Sequence, residues 1–244
     1  MTTLIAGASG ATGTQLVNQL LEREQQVKVI VRSPEKLPDS WNNNDLVTII
    51  KASILDISEA ELAQHVEGCD AVASCLGHTL SWKGIYGDPR KLVTQSVINL
   101  CNAMKNSNTQ GRKMKMVLMN TSGNQNRDLD EKISLGEKIV VGIIRFLLPP
   151  HVDNENAADY LRTEISQNND NIEWVAIRPD NLTDEEKVTE YQAYPSPIRS
   201  AIFDAGKTSR INVGHFMASL ITEDELWNKW KGQMPVLYNK SEKN

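Results

Sequence analysis

Cysteine is scarce and poorly placed for chemistry. Cys69, Cys75 and Cys101 are the only three; they form no CxxC pair, and an odd number cannot close into a disulfide set. They read as reduced thiols of a cytoplasmic protein. The four histidines, His65, His78, His151 and His215, are scattered too widely to suggest a metal site, so no metal is expected. An excess of positive charge is missing as well: 26 Lys and Arg stand against 31 Asp and Glu, a formal net charge of −5. Without a basic face, neither nucleic acid nor an anionic membrane is an expected partner. No uninterrupted apolar run reaches the length that spans a bilayer, and strand-like sequence begins at the first residues, so no cleaved leader is expected. Internal repeats and low-complexity tracts are lacking too.

What is there is an ordinary globular composition, 40% apolar and 23% charged, long enough to bury one large core. The organising stretch is the first thirteen residues. A short apolar strand, Thr2 to Ala6, runs into Gly7-Ala-Ser-Gly10-Ala-Thr-Gly13, with glycine at every third position before a helix begins. Such a strand, turn and helix bring backbone N–H groups up to an anion at the positive end of the helix dipole. Gly7 permits the tight turn, Gly10 lets the main chain approach a pyrophosphate, and Gly13 lets the helix lie close on the strand. Ser9 and Thr12 add hydroxyl donors. An ordinary strand-to-helix turn also uses glycine, but here the context a dinucleotide loop needs is present on both sides.

Val27 to Val31 is a second apolar strand, followed at once by Arg32. In a dinucleotide fold the residue at this strand end, about 20 positions beyond the glycines, faces the adenosine ribose. An acid there accepts from a free 2′-hydroxyl. Arg32 instead suits a 2′-phosphate and can stack on adenine, with Ser33 and Lys36 as helpers. NADP is therefore favoured over NAD, against the alternative of a solvated loop arginine.

The rest of the chain alternates strands and helices. Helices are predicted over 11–24, from 59, over 90–104, 133–148 and 153–167, with strands over 46–50, 70–75, 115–120 and 172–177. Asp56 follows the third strand and either accepts from an adenine amino group or serves as a turn residue or cap before the next helix. Gly77, beyond the fourth strand, suits close packing against a nicotinamide ribose, though a plain turn would also use it. Residues 124–132 read as a polar surface excursion, and Pro149-Pro150 as a helix stop. Beyond Pro179 the rhythm fails: 180–200 reads as loop with one short helix at most, 209–213 as a short strand, 215–220 as a helix start and 234–238 as a last strand. The expected architecture is α/β: a doubly wound parallel sheet in one domain over 1–244. Its dinucleotide-binding core is 1–178, and a small irregular C-terminal lobe over 179–239 builds the substrate pocket.

Gly7 to Gly13, Arg32, Asp56, the Thr121-Ser122 strand end and Ile177-Arg178-Pro179 together resemble the atypical short-chain dehydrogenase/reductases. The nearest branches are the NmrA-like and the biliverdin/flavin-reductase-like ones. The resemblance covers roughly the first 180 residues and is more specific for cofactor binding than for chemistry. It implies a Rossmann sheet with NADP across the strand ends. The set lining it would include Ala11, Ile57, Leu76, Gly77 and Thr121, with Ser122 and Arg178-Pro179 near the nicotinamide.

One departure bears on mechanism. The wider superfamily uses Tyr-x-x-x-Lys, in which Lys lowers the Tyr pKa for proton exchange with a carbonyl. No such pair exists here: the expected positions fall on Val152 and Asn156, and Tyr160 is followed four residues later by Glu164, which would raise a tyrosine pKa. The resulting expectation is an NADPH-dependent reductase of a conjugated, quinone- or flavin-like small molecule. Ser122 would orient the acceptor, or else act only as a strand-end cap. His151 or His78 would supply the proton, although a surface histidine at a helix terminus is the simpler reading of His151. The competing expectation is a non-catalytic NADP(H)-binding regulator with a protein partner. An epimerase or dehydratase is disfavoured because it relies on the same missing pair.

Overall fold

The computed structural model describes residues 1–78, 81–107, 111–131 and 134–240, with Lys83 described by its backbone only. The last residue of the predicted 124–132 excursion and the first of the predicted 133–148 helix lie outside these residues. The first half reads β1 (Thr2–Ala6), α1 (Ala11–Leu21), β2 (Gln26–Val31), α2 (Asp39–Asn42), β3 (Val47–Lys51), α3 (Glu59–Val66) and β4 (Ala71–Ser74). Then come α4 (Trp82–Tyr86), α5 (Leu92–Ser107), β5 (Met114–Met119), α6 (Leu135–Leu147), α7 (Pro149–Tyr160) and β6 (Ile172–Pro179). The C-terminal part adds β7 (Asn181–Thr183), β8 (Tyr191–Tyr194), β9 (Lys207–Ser209), α8 (Arg210–Thr222), α9 (Asp224–Trp230) and β10 (Val236–Asn239).

Eight strands form one sheet in the order β3-β2-β1-β4-β5-β6-β10-β8, and β7 pairs separately with β9. Every pair in the large sheet is parallel except β10 with β8, so the expected parallel sheet closes on an antiparallel edge strand. Alternation along each strand feeds two cores. Leu4 and Ala6 of β1 join Val97, Leu100 and Leu161 beneath α5 and α7, whereas Ile5 joins Leu16, Phe216 and Trp227 beneath α1, α8 and α9. A sheet buried on both faces explains why β4 is apolar throughout except for Ser74.

Several predicted boundaries move for local reasons. Pro149 and Pro150 end α6 at Leu147, as expected, and they also start α7, because first-turn positions need no backbone N–H donor. Asp153 is therefore inside α7 and caps a different helix: its carboxylate accepts from the N–H groups of Val93 (2.7 Å) and Thr94 (3.0 Å) at the start of α5. Ser209 ends a strand instead of starting one. Its hydroxyl accepts from the Asn212 N–H and sets α8 going at Arg210, where the sequence suggested a strand to 213. The predicted loop 180–200 contains two short strands, and α9 has no counterpart in the sequence reading. The 34–44 loop holds a helical turn that buries Trp41.

Residues 124–131 depart furthest from the expected surface excursion. The stretch is polar yet turns inward, with Asn124 and Asn126 buried and the Glu131 side chain 4% exposed against fully buried Arg178.

Candidate cofactor and substrate site

The strand order reverses direction at β1 and β4, where a parallel sheet leaves a crevice beyond its carboxyl ends. Arg32, Gly7, Gly77, Thr121 and Pro179 stand at or just beyond the ends of five successive strands, β2, β1, β4, β5 and β6. Four strand spacings amount to roughly 19 Å, the scale of an extended dinucleotide. Asp56 follows the next strand outward, β3.

The three glycines of the loop meet different surroundings. Gly7 has φ +83°, and a Cβ there would meet the Cys75 carbonyl carbon at 2.7 Å, so it is needed for the close approach of β1 and β4. A Cβ on Gly13 would lie 2.1 Å from the Gly7 carbonyl oxygen. Gly10 is different. Its φ of −80° and ψ of 157° suit any residue, and a Cβ there meets only the Gly7 oxygen, at 3.3 Å. Packing within the protein does not require glycine at position 10; a ligand pressed against the main chain would. Ser9, Gly10 and Ala11 are exposed, Thr12 is buried, and α1 has neither a side-chain cap nor an acid in its first turn. Its free N–H groups and positive dipole end thus face solvent, which suits a pyrophosphate.

Arg32 and Lys36 are exposed, and among the described residues neither forms an ion pair. Ser33 is less available, since its side chain hydrogen-bonds Glu35 and helps hold that carboxyl below its usual value, second to the Glu35 backbone contact. Asp56 is exposed in a turn, its N–H donating to the Ser53 carbonyl; the cap of α3 is Ser58, not Asp56. Ile57 and Leu76 pack on the α5-side core, and no atom lies within 4 Å of a Cβ placed on Gly77.

At the β5 and β6 ends the chain is tightly cross-tied. The Ser122 N–H donates to the Pro179 carbonyl (2.9 Å), and its hydroxyl donates to Asp180 (3.0 Å). Asp180 also accepts from the N–H groups of Gly206 (2.7 Å) and Asn181 (3.0 Å). Burial raises its carboxyl above the ordinary value despite these donors. Thr121 Oγ1 accepts from the Gly123 N–H, and Asn120 receives the Thr121 N–H at 2.8 Å.

Ser122 and Gly123 line a cavity of about 740 Å³, walled by the inner face of α6 and by residues 196–202. His151 lies directly behind Gly123, whose Cβ position is 3.3 Å from the imidazole Cε1, and its Nε2 is 3.5 Å from Glu155. Of the two residues expected at the chemistry, Ser122 lines the cavity, whereas His151 lies behind Gly123 and does not line it; it is half-buried instead of on the surface. Glu155 is forked by Arg145 (2.7 and 2.8 Å); burial alone would raise its carboxyl, but His151 and Arg145 bring it down to about 2. His78 stands apart. Its ring nitrogens are engaged by the Gly84 carbonyl (3.1 Å) and Asp153 (2.8 Å), so it ties α4 to α7 and is no free proton donor.

Arg178, placed by resemblance near the nicotinamide, is wholly buried. Its guanidinium is spent on Glu131 (2.7 Å) and on the carbonyls of Met234, Asn124 and Pro195. Sequence reasoning missed Asp180, Asn120 and the Arg145–Glu155 pair. Only Asp180 had a signal, an acid directly after a strand end. Tyr160 packs on the α5-side core, and burial, with Cys101 and Glu164 adding, pushes its phenol up to about 12. Among the described residues no three His, Cys, Asp or Glu side chains gather as a metal site, and no helix is long and apolar enough to cross a membrane.

A profile of the NAD(P)H-binding family matches residues 7–224. Among solved structures, the oxidoreductase ylbE of Lactococcus lactis superposes with a TM-score of 0.70 at 18% identity, over 99% of this chain and 92% of that one. A short-chain dehydrogenase/reductase of Veillonella parvula, in complex with NADP, gives 0.70 at 16% identity, over 98% of this chain and 95% of its own. A candidate NADH-flavin reductase of Streptococcus pneumoniae gives 0.65 at 18%, over 98% and 100%. No curated protein sequence matches. Identities this low speak to the fold alone, whereas the profile takes in the glycine loop and most of the chain. On that match, which spans most of the chain, the protein belongs to the NAD(P)H-binding family.

Proposed function

We propose that this protein is an NADPH-dependent reductase of a planar, conjugated small molecule, quinone- or flavin-like, held in the cavity beside Ser122. The observation that carries the reading is the cavity's position: it starts at Ser122 and Gly123, beyond the end of β5, in line with the open glycine loop on β1. The relatives solved with NADP, or described as flavin reductases, support the same direction. The glycine loop and Arg32 would hold a reduced nicotinamide cofactor, which would supply hydride. The chain's part is to position the acceptor and to deliver a proton.

Ser122 serves both ends. Donating to Asp180, its oxygen accepts from an acceptor N–H. For an acceptor oxygen, the Ser122 hydroxyl turns from Asp180 and donates to it, leaving Asp180 with the N–H donors of Gly206 and Asn181. Tyr160 takes no part. Ser122→Ala is expected to lower kcat/KM for a quinone or flavin by about 10- to 100-fold, mostly in kcat, while Tyr160→Phe stays within about twofold of wild type. Spectrophotometric assay of NADPH oxidation over a panel of flavins, quinones and conjugated aldehydes measures both. Inactivity of the wild type across the panel, with NADPH bound tightly, would replace the reductase by the NADP(H)-binding regulator, the reading that the missing Tyr–Lys pair also favours.

Cofactor choice rests on Arg32, exposed beyond the end of β2 without an ion-pair partner among the described residues. Loss of a charge-assisted contact makes Arg32→Asp bind NADPH about 10- to 100-fold more weakly, with NADH unchanged or improved. Titration calorimetry with the two cofactors reports this directly. Equal wild-type affinities for NADH and NADPH would remove the 2′-phosphate assignment.

A further inference from the structure

Helix α6 is amphipathic, yet none of its side chains is buried. Its inner face, including Val141 and Arg145, lines the cavity. Its outer face is an aliphatic stripe at helical spacing, with Leu135 79%, Ile139 65%, Ile143 52% and Phe146 87% exposed. The stripe does not end with the helix. Phe203 lies against Gly136 at one end, and at the other Tyr86, stacked on Trp82, donates its hydroxyl to the Leu147 carbonyl (3.0 Å). Trp82 is 82% exposed and Phe203 63%.

We propose that this face is the interface of a symmetric homodimer, in which α6 packs against α6 of a second copy. Area is the first argument. A whole side chain of this size offers on the order of 200 Å², so at exposures between 52% and 87% these six uncover roughly 900 Å² of largely apolar surface, above the 300–600 Å² of a typical monomer's largest patch and close to the 800 Å² per partner of a stable interface. Charge is the second. Lys138 is the one cation of α6 left without an ion pair among the described residues, Arg145 being held by Glu155, and the chain as a whole is acidic at −5. An anionic lipid surface therefore finds little to attract it. An uncharged aliphatic stripe is complementary to itself, which is what a two-fold contact requires, and Gly142 in its middle has no atom within 4 Å of its Cβ position to hinder close approach.

The second copy also has a structural task. In one copy α6 is fastened by the Ser134–Glu137 capping box, the Ser200–Glu137 hydrogen bond, the Arg145–Glu155 fork and the Tyr86 contact, with no buried apolar anchor. Covering its outer face would seat the cavity wall that its inner face forms. The dimer goes beyond the reductase reading and is tested without any substrate.

Sedimentation velocity of the full chain across the micromolar range is expected to show twice the monomer mass. The double variant Ile139→Asp/Phe146→Glu should be monomeric, its dimer dissociation constant raised about 100-fold or more. Both residues are exposed, so its thermal melt and its NADPH-induced shift should match a wild-type sample measured at the same dilute, monomeric concentration. A wild type that stays monomeric overturns the proposal, and flotation with zwitterionic or anionic vesicles then tells whether lipid is the occupant instead. A double variant that remains dimeric overturns it as well, since the contact would lie elsewhere.

Discussion

In Gly10→Val, NADPH is expected to lose its ability to raise the melting temperature, while the protein without cofactor melts only a few degrees below wild type. The two terms separate because the structure assigns them to different neighbours. Within the protein a Cβ at position 10 meets only the Gly7 oxygen, at 3.3 Å, and the backbone is already extended. The remaining cost is a poorer N-cap, about 1 kcal/mol, which for a chain of this size is about 2–4 °C. On the ligand side, the branched side chain fills the space in front of the free N–H groups of α1. A ligand at 100 times its Kd stabilises the native state by about 2.7 kcal/mol, and that increment should vanish. Gly13→Ala supplies the contrast. Its Cβ would sit 2.1 Å from the Gly7 carbonyl oxygen, a backbone atom that cannot swing aside, so the fold itself should lose about 3 kcal/mol or more. Thermal melts of both variants with and without NADPH make the comparison. A surviving NADPH shift in Gly10→Val would place the dinucleotide elsewhere.

The largest loss of stability is expected from Glu131→Ala. Arg178 has no exposure, and Glu131 is its only anionic partner among the described residues. Removing the carboxylate leaves a guanidinium charge enclosed, with carbonyl oxygens as its remaining neighbours, a change that costs about 3–5 kcal/mol. Glu131→Gln, which keeps an acceptor at the same place, should lose less than the alanine variant. Urea unfolding followed by tryptophan fluorescence gives both values. The same ion pair fastens the 124–131 stretch to β6 and so holds one edge of the cavity, which means turnover should fall in Glu131→Ala while NADPH affinity, set at β1 and β2, changes little. A near-wild-type midpoint for Glu131→Ala would mean that the Arg178 charge is satisfied without Glu131.

How far the sequence reached depends on the distance between the residues that decide each feature. The strands from β1 to β6 were legible because a strand buried on both faces is an apolar run of four to eight residues, and the helices between them repeat apolar residues at helical spacing. Nothing distant has to be known. The C-terminal third was read less well for the opposite reason. Whether Ser209 belongs to a strand or a cap depends on Asn212 and on Asn239, which accepts the Ser209 N–H across the fold. Pro149-Pro150 reads equally as a stop and a start until the following helix is seen.

By itself, then, the sequence determined the alternating α/β architecture, the need for glycine at positions 7 and 13, and a cation at the end of β2, because each is a matter of backbone geometry or periodicity within one short segment. The tertiary structure alone decided that Arg178, 47 residues from Glu131, is an internal brace; that Asp153 caps α5 at Val93, 60 residues earlier; and that Ser122 rests on Asp180, 58 residues away. The same holds for the outer face of α6, whose apolar stripe is exposed. Composition tells which groups must be buried or paired. Which strand ends become neighbours, and hence which partner each group finds, follows only from the order of the strands in the sheet.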